Sequence, residues 1–292
     1  MAQTGGQLLL LRMVQAFGAG MTVVVVGALV RDYYEGREAA QMFALIGIIM
    51  MAVPLVAPML GAELQKLGGW RAIFVFLLAY AVLLLGLMAG FLPKPAKTEK
   101  IGRDIFAVVA GRFKRVLQTR AAMGYLFFQA FSFSSMFVFL TESSFVYMKL
   151  YGVSPRLYAW MFGLNIITMA TFNRITAWRL KTGTHPQAIL KWGIIVQLGA
   201  NLLMAVSAAA FDLPPFWLLV GCVMFSVGTQ GLVSANTQAC FMGYFKEEGG
   251  SANAVLGVCQ SVIGASVGML TTWLHNGTAQ IMPFMMLAST VF

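Results

Sequence analysis

Acidic side chains are scarce in this chain: Asp and Glu together number 10 in 292 residues, and there are only 2 His. That scarcity removes most of the constellations on which enzymes rely. There is no His-Glu-x-x-His run and no pair of aspartates inside an apolar stretch. His185 and His275 both lie near loops. Neither an enzyme nor a resident metal is expected. Cysteine is nearly lacking as well. Cys222, Cys240 and Cys259 fall in or at the ends of apolar runs, and an odd set of such thiols supports no disulfide framework and no metal-ligand spacing. They read as small packing residues. Charged residues make up 10% of the chain, where a soluble domain carries roughly 25%.

What stands in their place is apolar. Hydrophobic residues reach 59% and the mean hydropathy is +0.79. Nine apolar segments are evident, roughly 6–30, 42–62, 72–92, 121–147, 156–176, 188–210, 215–240, 251–274 and 280–292. A bilayer core of roughly 30 Å needs about 20 helical residues, which all but the last segment supply. Backbone amides in lipid need internal partners, so runs of this length predict helices. The first run is too long for a cleavable leader and lacks a small-residue cleavage site. The expected class is an all-α polytopic membrane protein.

The basic residues predict orientation. Fifteen Lys and Arg fall in one alternating set of loops and four in the other, with Arg12 apart from both. By the positive-inside rule the richer set is cytoplasmic. The net charge of +10 is therefore a topology signal and not a nucleic-acid footprint. The longest connection, 93–120, opens with PKPAKTEK and continues as IGRDIFAVVAGRFKRVLQTR. There Ile101, Ile105, Val108, Val109, Val116 and Leu117 recur at helical spacing, with Arg103, Arg112 and Arg115 between them. That pattern predicts a basic amphipathic helix on the cytoplasmic face, or else a regulatory, partner-binding loop. It separates residues 1–92, the remainder of an N-terminal bundle, from a six-helix bundle at 121–292. Transporters are often built from halves of equal span number. Three spans before the loop and six after it suggest that three are missing on the N-terminal side, and that the last helix is truncated.

Within the first run, LLLLRMVQAFGAGMTVVVVGALV, Arg12 is the exceptional residue. A guanidinium in hydrocarbon costs roughly 2.5–3.5 kcal/mol even on the lenient insertion scale. It either snorkels to the interface or faces a polar path. Glu142 is the only acid well inside an apolar segment, five residues before Tyr147. A hydrated acid at the outer mouth, near Ser143 and Ser144, is the favoured reading; a proton-exchanging acid is the other. Uncharged polar residues are scattered through the C-terminal half, among them Gln197, Asn201, Asn253 and Gln260. Most serve as interhelical glue, each bond contributing about 0.6–2 kcal/mol. Gln129, Asn165, Gln230 and Asn236 are the candidates for cavity lining. Gly257, Ser261, Gly264 and Gly268 form a small-residue ridge that allows close helix approach.

LRMVQAFGAG at 11–20 resembles the fourth-helix motif of the major facilitator superfamily, matched by Arg12, Gln15, Gly18 and Ala19. VRDYY at 30–34 continues the likeness, and APMLGA at 57–62 resembles the fifth-helix antiporter motif, with Ala57 and Ala62 in place of glycines. GWRAIF at 69–74 matches the start of the sixth helix. SSFVYMKLYGVSP, GGSANAVLG and LHNGTAQIM resemble the bicyclomycin-resistance (Bcr/CflA) branch of drug:proton antiporters. Departures are Ser144 and Ala235 where Pro is usual, and Glu142 where a small residue is usual.

The resemblance implies a partial major facilitator fold, helices 4 to 12 of twelve. It implies drug or xenobiotic efflux by proton antiport through alternating access, in a bacterial inner membrane. The partners implied are lipid, protons and a small amphipathic or cationic drug-like substrate, with the proton gradient in place of any cofactor. Arg12, Gln15 and Glu142 become candidates for coupling. Ala57, Pro58 and Gly61 become a gate, since proline removes an intrahelical hydrogen bond and glycine admits a neighbour. A monomer is expected. A narrow-specificity metabolite exporter and an inert truncated remnant are the alternatives.

Overall fold

A computed structural model describes residues 4–34, 36–91, 105–245 and 249–291, apart from some side chains of the first three helices. Among the described residues, the apolar segments lie on helices. α1 spans Gly5–Tyr33, with Thr4 as its N-cap accepting from the Gln7 amide. α2 spans Gly36–Phe91 and carries two of the segments. Its backbone leaves helical dihedrals at Gly68 and Gly69 only, and Gly69 has φ +66°. That conformation is open to glycine and strained for other residues, so the pair divides α2 into two arms.

α3 (Ile105–Gln118) is the amphipathic helix that the spacing predicts. Val116 is fully buried on it and packs with Ala122, Phe241 and Val255, while Arg112, Lys114 and Arg115 are exposed. Its apolar face therefore docks on the helical bundle that follows. The PKPAKTEK stretch, Arg103 and the basic residue Lys246 lie outside the described residues.

The remaining helices are α4 (Arg120–Ser144), prolonged by one π-helical turn at Phe145–Leu150, α5 (Pro155–Lys181) and α6 (Pro186–Ala210). α7 (Phe216–Gly228) and α8 (Gln230–Met242) occupy the single apolar segment 215–240 and meet at Thr229. α9 (Gly249–Leu274) and α10 (Ile281–Val291) complete the chain. Among the described residues, five stretches are long and apolar enough to cross a membrane: Val56–Phe91, Arg120–Leu150, Pro186–Ala210, Phe216–Met242 and Gly249–Leu274. α5 is not one of them, because Arg156, Asn165, Asn173 and Arg174 lower its hydropathy. Its 27 residues still make roughly 40 Å of helix.

The chain divides into two compact units, Met1–Ala57 and Pro58–Phe292. Within the second, α4 packs most extensively on α9, and also on α10 and α8. One apolar cluster gathers Phe139, Tyr147, Met161, Met204, Leu219 and Met282. Glycine sets how closely the helices approach. A Cβ at Gly264 would stand 2.5 Å from the Phe137 ring of α4, and one at Gly231 would stand 2.2 Å from the Met169 carbonyl oxygen of α5. The predicted ridge is thus a contact surface of α9 toward α4.

Candidate transport site

Arg12 and Gln15 share one face of α1, three residues apart. Arg12 Nη1 donates to Gln15 Oε1 at 2.9 Å, and both side chains are exposed. The amide thus orients the guanidinium. In α2, Ala57 is exposed while Pro58 and Gly61 are half-buried. The helix passes through Pro58 with helical dihedrals although no amide is there to bond the Pro54 carbonyl. Among the described residues nothing lies within 4 Å of a Cβ placed on Gly61, leaving room beside the prolyl turn.

Glu142 stands at the far end of α4, only 3% exposed. Its Oε2 lies 2.9 Å from Nδ1 of His275, in the segment that follows α9. The edge of the Phe145 ring abuts the imidazole, with centroids 4.5 Å apart at 84°. About a third of the His275 side chain, 32%, stays accessible. The carboxyl group is thus buried and held by the partly exposed imidazole of His275. The π turn begins three residues later, and such turns recur at functional sites. Next to Glu142, the Ser143 hydroxyl meets the Tyr158 hydroxyl at 2.9 Å, and the Tyr151 hydroxyl donates to the Pro214 carbonyl.

Polar side chains elsewhere on these helices fall into two sets. The first is a knot of bonds between helices. Ser132 Oγ donates to Gln197 Oε1 at 2.7 Å, and Gln197 Nε2 donates back to the Ser132 carbonyl at 3.0 Å. Gln230 Nε2 donates to the same carbonyl and to Ser132 Oγ, each at 3.0 Å. Asn201 Nδ2 reaches Met286 O at 3.0 Å and Thr290 Oγ1 at 2.6 Å. α4, α6, α8 and α10 are joined in this way.

The second set lines a cavity of about 130 Å³ between α4, α8 and α9. Gln129 enters it from α4, Ser234 and Gln238 from α8, Asn253 and Gln260 from α9. Gln129 Nε2 lies 3.4 Å from Ser234 Oγ, and Gln238 Nε2 donates to Asn253 Oδ1 at 2.8 Å. Four buried amide oxygens have no hydrogen-bond partner among the described residues: those of Gln129, Asn165, Asn201 and Gln230.

The four cavity candidates therefore separate. Gln129 lines a cavity and Gln230 belongs to the knot. Asn165 is buried on α5. Asn236 turns back on its own helix, donating to Leu232 O at 2.7 Å. His275 was not singled out by sequence; it lies 133 residues from its partner. Gln238, Asn253 and Gln260 carry the readable signal, because spacings of 4 and 7 place such residues on one helical face.

Apolar helices of membrane-crossing length, with amides and a carboxyl group buried between them, define a multi-pass helical membrane protein. The chain belongs to the Major Facilitator Superfamily, whose family model matches residues 1–269. It is 30% identical over 291 residues to the bicyclomycin resistance protein homolog of Haemophilus influenzae, an alignment covering 98% of this chain and 71% of that protein. It is 29% identical to the multidrug resistance protein MdtL of Shigella flexneri, with 91% of this chain and 65% of that protein covered. The chloramphenicol resistance protein of Pseudomonas aeruginosa is 27% identical, with 89% and 61% covered. The chain thus spans roughly two thirds of the length of these relatives.

Proposed function

We propose that this chain takes part in efflux of drug-like compounds in exchange for protons, by alternating access in a bacterial inner membrane. The observation that carries the proton half is Glu142, buried and held at 2.9 Å by His275. A carboxylate and an imidazole in contact can hold zero, one or two protons between them. Because they join the end of α4 to the segment after α9, each proton state favours a different fit between those helices. A charge in such a place defaults to a functional role in membrane proteins. The names of the relatives supply the drug half, and compounds such as chloramphenicol are the first to try. Arg12, oriented by Gln15, serves coupling on the N-terminal side, and Ala57, Pro58 and Gly61 serve the gate. The driving force is the proton gradient with no cofactor, the basic loops face the cytoplasm, and the working unit is a monomer.

The test is ligand-evoked proton release. Purified chain in weakly buffered detergent, with a pH dye, receives chloramphenicol or tetraphenylphosphonium. Release is expected from the native chain, and Glu142→Gln should reduce it by at least about half. Equal release from both proteins removes Glu142 from the path. Binding without any release removes proton exchange.

A further inference from the structure

The cavity of about 130 Å³ between α4, α8 and α9 is built from uncharged hydrogen-bonding groups. None of its lining side chains is acidic or basic. Gln129, 1% exposed, lines it on the α4 side, and its own amide oxygen is buried and accepts no hydrogen bond among the described residues. Asn253 and Gln238 use one donor and one acceptor on each other, which leaves each amide with further capacity. At Gly257 a Cβ would meet nothing within 4 Å, so the α9 wall is recessed there. One water takes about 30 Å³ in the liquid, so the space suits a group of several heavy atoms.

We infer that this chamber is a subsite for the uncharged, hydrogen-bonding head group of the exported compound, an amide or a hydroxyl, and not for a cation. The inference rests on the efflux reading and names the substrate class that this site takes. A cation seated in the chamber would find no counter-charge among the lining side chains. An N–H or O–H donor instead satisfies Gln129 Oε1, and its neighbouring carbonyl or hydroxyl accepts from the amides of α8 and α9. Discrimination of this kind is steep, because a site built to hydrogen-bond a ligand leaves its own polar groups unpaired when the ligand lacks the partner. Two larger hollows among the described residues lack this character: that of about 390 Å³ is lined chiefly by aliphatic and aromatic side chains, and that of about 520 Å³ carries Lys191.

The experiment measures equilibrium binding of two probes to the purified full chain: chloramphenicol, an uncharged amide diol, and tetraphenylphosphonium, a cation. Gln129→Leu removes that acceptor, and Gly257→Leu puts a bulky side chain at the recess, its Cβ meeting nothing within 4 Å. Each is expected to raise the Kd for chloramphenicol by about tenfold or more, the scale of a lost hydrogen bond, with the cation changed by less than about twofold. Gln129→Glu should favour the cation. If Gln129→Leu does not fold, Gly257→Leu still decides. Chloramphenicol affinity unchanged in the folded variants, or lost together with that for the cation, overturns the subsite. Native chain that binds the cation but not chloramphenicol overturns the subsite alone. Chain that binds neither overturns the efflux reading as well.

Discussion

Gly231 offers the sharpest test of the packing. A Cβ at this position would lie 2.2 Å from Met169 O, 2.7 Å from Asn173 N and 3.1 Å from Phe172 Cβ. Two of the three are backbone atoms of α5, which cannot rotate away. Comfortable heavy-atom contacts lie near 3.5 Å, so α8 and α5 must part by about 1 Å to admit a methyl group. Overpacking of this kind costs about 1–3 kcal/mol. Parting the helices also stretches the bond from Thr176 Oγ1 to Gly231 O, now 2.9 Å, and such a bond in a membrane protein is worth about 0.6–1.7 kcal/mol. Helix propensity returns about 1 kcal/mol for any Gly→Ala change, so the control is Gly257→Ala, where the added carbon meets nothing within 4 Å. The difference between the two variants isolates the clash at about 2–4 kcal/mol. At roughly 2–4 °C per kcal/mol for a chain of this size, Gly231→Ala should melt on the order of 5–15 °C below Gly257→Ala. Loss of the monodisperse peak on heating in detergent reads this directly. Gly231→Ala melting at or above the control would refute the close crossing of α5 and α8.

Two further predictions concern the same unit. Asn201→Leu removes the donors that reach Met286 O and Thr290 Oγ1, and should cost about 1–3 kcal/mol; a melting point equal to native would remove Asn201 from the joint between α6 and α10. Gly69→Ala forces φ +66°, ψ −168° on a residue with a Cβ, at about 1–3 kcal/mol. Gly86→Ala, in open space, should not lower thermal stability, and equal melting of these two variants would count against the break in α2.

Legibility in the sequence followed the physics of each feature. Long apolar runs are readable because lipid leaves the backbone one economical solution, and among the described residues the runs lie on helices. The amphipathic α3 was readable from its 3.6-residue period, but its docking partner was not, since Val116 meets residues more than a hundred positions away. The division of 215–240 into α7 and α8 left no mark in hydropathy. It sits where Gly228 and Gly231 pass against Thr168 and Met169 of α5, and a tertiary contact of that kind has no local signature. Glu142 stood out as a lone acid, yet its environment depended on His275, which sequence places near a loop. Asn236 looked like its neighbours in composition. Only the helix rotation decided that its amide turns back to Leu232 while Gln230 crosses to Ser132.

The two sets of amides differ in what a ligand could ask of them. In the knot, Gln197 and Gln230 both donate to the Ser132 carbonyl, a fixed backbone acceptor that orients each amide and holds α4, α6 and α8 as a frame. In the chamber, Gln238 and Asn253 hold each other, side chain to side chain, so a ligand can replace that bond by rotation alone. α9 meets α4 through the chamber near one end and through Glu142 and His275 at the other. Between them Gly264 and Gly268 rest on Phe137 and Thr141, a contact of shape, with no hydrogen bond between these two helices found there among the described residues. A shift of α9 along α4 would break no hydrogen bond midway, but it would have to lift the Phe137 ring out of the gap at Gly264. On the proposed reading, proton and ligand are coupled through this contact and need not meet in one cavity.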